Sequence, residues 1–140
     1  MNYSESLSVL VGEWEIEATH PMSPGTVVRG TATFEWLSGE KFLIYRSEND
    51  HPQFPDSISV IGAPEGSLRM YYFDTRGVHR IYEVAIDGNE WKMSRDEPQF
   101  SQRFTGTFSS DGTSISGLWK LSRDDKTYAD DLAINFQRAQ

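Results

Sequence analysis

Arg46, Arg80 and Arg95 stand where they could hold an anion. Each falls near the end of a short segment rich in β-branched and aromatic residues, in step with that segment's apolar side chains. Tyr72, Tyr82 and Gln102 share the placement. A guanidinium offers a rigid fork of donors that matches two oxygens of a carboxylate or phosphate, and phenolic hydroxyls add further donors. Arg outnumbers Lys nine to four, in keeping with recognition of that kind. The plainer alternative is that Arg46, Arg80 and Arg95 pair with Glu48 and Asp74 as rim ion pairs of small energetic weight.

Catalytic chemistry has fewer candidates. Asp74 could move protons beside Arg80 or Tyr72, but a carboxylate next to Arg is held ionised and makes a poor general acid. The three histidines, His20, His51 and His79, show no close ligand spacing, and Cys is absent. Neither a metal centre nor a cofactor is expected. His20 and His79 fall near one end of their segments, where one of them could line a cavity mouth. The pairs Asp124-Asp125 and Asp130-Asp131 flank a turn and read as solvated.

The elements that must position these residues are strands. Turn-forming clusters of Gly, Pro, Asn, Asp and Ser recur along the chain, and between them ten strands are predicted near 13–19, 26–37, 41–48, 57–63, 68–74, 78–86, 90–95, 100–108, 114–121 and 130–138. Alternation is clean in several. Trp14, Ile16 and Ala18 oppose Glu13, Glu15 and Glu17, while Phe34 and Trp36 oppose Thr33 and Glu35. One buried and one solvated face follow from a period of two. Ten such strands with short connections close most simply as one up-and-down antiparallel barrel, which removes exposed edges. Residues 4–11 are the single helical candidate: Ser4 caps, Leu7, Leu10 and Val11 pack, and Gly12 ends it. Its expected task is to plug one end.

Up-and-down connectivity puts tight turns with the helix and longer, Pro-containing loops at the opposite mouth. Loop 49–56, with Pro52, Pro55 and Phe54, is a candidate cover for that mouth. The prediction is a dry floor holding Phe34, Trp36, Trp91 and Phe108 under a polar chamber. There Arg46, Arg80, Arg95, Tyr72, Tyr82 and Gln102 would meet a polar head, and Phe34, Ile44, Met93, Phe104 and Trp119 an apolar body. On strands three to six, Leu43, Tyr45, Ile61, Tyr71, Phe73 and Ile81 take outward parity and suggest a homodimer or partner face.

The 140 residues suit one domain, spanning 1–140, with no need of a disulfide or metal. The net charge of −8 argues against nucleic acid and anionic membrane as partners. The N-terminus lacks the charged start of a signal peptide, and no apolar window approaches a membrane span, so a soluble, cytoplasmic protein is expected. Eighteen aromatic residues favour a sheet protein.

Gly12-Glu13-Trp14, after a helical turn and opening the first strand, resembles the G-x-W motif of the calycin superfamily, which includes the lipocalins. That resemblance implies that Trp14 seals the closed end with an Arg of the last strand, here Arg138, packed across it as a structural plug. The wider chain is similar to nitrobindin-like and lipocalin-like bacterial barrels through Leu10–Trp14, Ala32–Leu37, Tyr72–Val78, Phe100–Phe108 and Ile115–Trp119. It departs from nitrobindins in having no His in 130–140 to hold haem. It departs from fatty-acid-binding proteins in having only 20–25 between its first two strands. The function expected is binding of a small amphipathic or anionic molecule in the barrel. The alternatives are an enzyme of isomerase or cyclase type, as the resemblance allows, and a homodimeric interaction module without ligand.

Overall fold

β-branched and aromatic residues at alternate positions favour extended backbone, and here they assemble ten antiparallel strands. The computed structural model describes residues 3–52 and 54–139; Met1, Asn2, Gln53 and Gln140 lie outside the described residues. The strands are β1 (Gly12–His20), β2 (Ser23–Trp36), β3 (Leu43–Asn49), β4 (Ser57–Gly62) and β5 (Arg69–Asp74). They continue as β6 (His79–Asp87), β7 (Glu90–Arg95), β8 (Ser101–Phe108), β9 (Ser114–Ser122) and β10 (Ala129–Arg138). Each pairs with its neighbour in sequence, and β1 pairs with β10, closing the barrel. The predicted helix is a single α turn, α1 (Ser4–Leu7), followed by a 3-10 turn at Ser8–Leu10. Its Leu7 and Leu10 are buried and stop the lower end.

Why Gly12 precedes Trp14 is visible in the plug. Trp14 is buried, its indole N–H donates to the Leu10 carbonyl at 2.9 Å, and the Arg138 guanidinium lies 4.1 Å from its ring centroid. Arg138 also donates to the carbonyls of Gly112 (3.0 Å), Val11 (2.8 Å) and Val9 (2.7 Å). Gly12 has φ +128°, and a Cβ there would stand 2.8 Å from Arg138 Nη1. Only glycine fits both demands. Above the plug, Phe34, Trp91, Phe104 and Phe136 interlock, with ring centroids 4.9 to 6.0 Å apart around Trp91.

The expected parity fails on β3 and β4. Leu43, Tyr45, Ser47 and Asn49 point inward, and Ile44, Arg46 and Glu48 point out. Leu43-Ile44-Tyr45 is apolar at three consecutive positions, so alternation alone does not choose a face. Packing does: Tyr45 stands opposite Phe34 in register, with its ring stacked on it at 4.2 Å. The register then carries Ser59 opposite Tyr45 and Ile61 opposite Leu43 into the interior. Leu43 and Ile61 are fully buried, so with Tyr45 they leave the suggested outer face. That face is composed of Ile44, Ile58, Val60, Tyr71, Phe73 and Ile81, joined strand to strand in two rows.

Candidate functional site

A cavity of about 310 Å³ lies between the aromatic floor and the mouth opposite the plug, at the lower end of the range for small-molecule sites. Its polarity divides side to side as well as top to bottom. The wall from β3 to β6 carries Tyr45, Ser47, Asn49, Ser57, Tyr72, Arg80 and Tyr82, with Met70 its one apolar member. The wall from β7 through β10 to β1 carries Met93, Phe104, Trp119, Leu132, Ile134 and Ile16, and is polar only near the mouth, at Gln102, Asp131 and His20. The wall is thin where rings must fit. Gly106 and Gly117 face each other across β8 and β9, and the Phe104 ring lies over both.

Asp74 organises the rim. Its carboxylate accepts from the Tyr72 hydroxyl (2.7 Å), from Arg76 Nη2 (2.6 Å) and from the Arg76 backbone N–H (2.8 Å). Burial raises its pKa, but the hydrogen bonds from Arg76 and Tyr72 more than reverse this and hold the group well below the usual carboxylate range. The Tyr72 hydroxyl is pushed up, by burial first and by its bond to Asp74 second. Burial also raises Tyr45 and Tyr82, the latter partly offset by Arg80 and Arg95. These phenols hold their protons and Asp74 holds none at neutral pH. These groups are suited to hydrogen bonding.

Donors are distributed differently from the expectation. Tyr72 gives its proton to Asp74, and Tyr82 gives its own to Gln102 Oε1 at 3.2 Å. Both phenols are thereby spent as donors, and the Tyr82 oxygen also takes a hydrogen bond from Arg80, while the Gln102 amide NH₂ has no partner among the described residues. Across the mouth, His20 Nδ1 accepts the Met22 N–H (3.1 Å), so Nε2 carries the ring proton and donates to Asp131 at 2.7 Å. Arg76 lines the cavity but is paired to Asp74. Arg80 is different. It is half-buried, lines the cavity, lies 5.0 Å over the Phe100 ring and forms no ion pair among the described residues.

Of the predicted site residues, Tyr72, Arg80, Tyr82, Met93, Gln102, Phe104 and Trp119 are brought together around this cavity. Four are not. Ile44 and Arg46 sit on the outer surface through the parity of β3, and Arg46 is exposed. Phe34 is sealed beneath the cavity by Tyr45 and Trp91. Arg95 turns to the rim, where Nη1 reaches the Phe100 carbonyl at 3.4 Å and Nη2 lies 3.7 Å from Glu97. Phe54 and Pro55 line the mouth, held by Asn49 Nδ2 donating to the Pro55 carbonyl at 2.8 Å. His79 faces out and stacks on Phe73. Sequence reasoning missed Tyr45, Ser47, Asn49, Ser57 and Arg76. The overlooked signal is the run of small polar residues Ser47, Ser57 and Ser59 in strands that otherwise favour bulk.

Solved structures resemble this barrel along its whole length. The crystal structure of Rv2717c from M. tuberculosis superposes with a TM-score of 0.73 at 14% identity, covering 100% of this chain and 99% of that one. A redesigned β barrel superposes at 0.53 with 13% identity over 96% of each chain. At these identities the likeness is one of fold. The sequence matches no family model and no curated protein.

Proposed function

We propose that this chain is a calycin-like binding protein that holds a small amphipathic anion in its barrel, with Arg80 as the anchor of the charged end. One observation carries the reading: Arg80 is a cavity-lining cation left without a carboxylate in a chain of net charge −8. The other cation of the lining, Arg76, is paired with Asp74, and His20 gives its Nε2 proton to Asp131. Arg80 rests on the Phe100 ring with the Tyr82 hydroxyl oxygen beside it, and a guanidinium so placed still has in-plane donors left for an incoming carboxylate. Gln102 adds an amide donor, and the Met93, Phe104 and Trp119 wall takes the apolar body.

The test is calorimetric titration of small carboxylates and their uncharged primary amides into wild type and Arg80→Gln. Loss of a charge-assisted hydrogen bond is worth about 1.5–3 kcal/mol, so Arg80→Gln should weaken carboxylate binding by about 10- to 100-fold and leave the amides nearly unchanged. Carboxylate affinity that is equal in both proteins, or no binding of any carboxylate, would remove this function.

A further inference from the structure

The polar and aromatic geometry of the cavity goes further and selects among anions. Resting on the binding reading above, we infer that the occupant is a flat aromatic monoanion, an aryl carboxylate of one or two fused rings, rather than a flexible fatty acid.

Three observations lead there. The first is shape. Tyr72, Tyr82, Trp119, Phe104 and Trp91 form an unbroken chain of ring contacts from mouth to floor, at centroid separations of 6.3, 5.3, 5.0 and 4.9 Å, each edge-on or tilted. Rings held at such angles leave edges and faces for one more ring, which extends the same herringbone. An alkyl chain gains area there but none of that directional contact. A rigid ligand also loses less conformational freedom on entry.

The second is size. About 310 Å³ stands at the bottom of the range for small-molecule sites. A long acyl chain exceeds this, and a bicyclic acid meets it. Met70 and Met93 line opposite flanks of Tyr82's strand. Their polarizable thioethers adapt to a ring edge better than branched side chains would.

The third is charge. Among the described residues the lining offers one unpaired cation, Arg80, and one uncommitted amide, on Gln102, whereas Asp131 lines the same mouth and Asp74 stands behind Tyr72 and Arg76. A single carboxylate is matched by this set. A second anionic group would meet Asp131.

1-Naphthoate and decanoate are monoanions of nearly equal size and serve as the probes, titrated by calorimetry into the wild-type protein and into Trp119→Leu. The expected result is naphthoate bound at least ten-fold more tightly than decanoate. In Trp119→Leu that preference should shrink to under three-fold, with decanoate affinity held. Decanoate binding as tightly as naphthoate in wild type would overturn the aromatic preference while leaving the anion site standing. Absence of binding by both would overturn the anion site itself. A preference that survives Trp119→Leu unchanged would overturn the ring-wall explanation, and because the primary comparison uses wild type, a variant that fails to fold does not protect the inference.

Discussion

Replacing Arg138 by Ala removes one side chain that ties three separate parts of the closed end. The guanidinium joins the Val9 and Val11 carbonyls after α1, the Gly112 carbonyl of the β8–β9 turn, and the Trp14 ring. A hydrogen bond to a charged group is worth about 1.5–3 kcal/mol when its partner stays buried. The Val9 carbonyl lies at an exposed bond and regains water, so its loss counts for little. Allowing about 1 kcal/mol for each of the other two bonds after partial rehydration, and about 1 kcal/mol for the contact with Trp14, the cost is about 3 kcal/mol. With a urea dependence of about 2 kcal/mol per molar, the unfolding midpoint should fall by roughly 1.5 M. Arg138→Lys separates charge from geometry. A lysine keeps the cation near Trp14 and one carbonyl but lacks the planar fork, and should cost about half as much. The assay is urea denaturation at neutral pH, followed by far-ultraviolet circular dichroism. A cost below about 1 kcal/mol for Arg138→Ala, or equal costs for Ala and Lys, would refute the plug as described. Loss of naphthoate binding in a variant of undiminished stability would place Arg138 in the ligand site instead.

Gly117→Ala should lower the melting temperature by about 3–10 °C, because a Cβ there stands 2.7 Å from Phe104 Cε1 and 2.9 Å from the Ile134 carbonyl, an overpacking worth about 1–3 kcal/mol. Gly25→Ala, with nothing within 4 Å of its Cβ, should leave it unchanged. Equal shifts for the two would remove the account of the glycine pair under Phe104. Acid should destabilise the fold below about pH 4. The turn residue Asp111 is held at about 2, chiefly by hydrogen bonds from Thr113 and Ser109, and Asp124 lies lower still through the Thr127 and Lys126 N–H groups. Asp74 is depressed as well. Folded pKa values below the unfolded value of about 3.9 mean that the native state binds fewer protons in that window. Their stabilisation is therefore complete above about pH 4 and is lost as pH falls through the folded values. Denaturation series at several pH values should show a flat region from about pH 5 to 7 and a decline below pH 4 that Asp111→Asn with Asp124→Asn makes shallower. An unchanged slope would sink the assignment.

Much of the barrel was legible because it is written in a period of two. Turn chemistry placed all ten strands to within a few residues, and from β5 onward parity brought Tyr72, Arg80, Tyr82, Met93, Gln102, Phe104 and Trp119 to one cavity. The register of β3 and β4 was not legible. With Leu43, Ile44 and Tyr45 consecutive, either face could have been the buried one, and the choice rests on a contact between Tyr45 and Phe34 in the neighbouring strand. Hydrogen-bond direction was equally beyond sequence. Tyr72 and Tyr82 looked like donors to a ligand, yet Asp74 and Gln102 take their protons.

The same misreading explains why there is a cavity at all. Alternation arguments assume that inward positions are filled with bulk, and on β7 to β10 most are, with Gly106 and Gly117 making room for the Phe104 ring. On β3 and β4 the inward pairs nearer the mouth are Ser47 with Ser57 and Tyr45 with Ser59, above Leu43 with Ile61. Ser47 and Ser59 are buried. A serine leaves unfilled the volume that a Leu or Phe would occupy, and close packing forbids neighbours from flowing in to fill it. A ring-rich wall facing a serine-rich one thus produces a space with one apolar and one hydrogen-bonding side. The serines at inward positions of β3 and β4 are the residues that keep the chamber open.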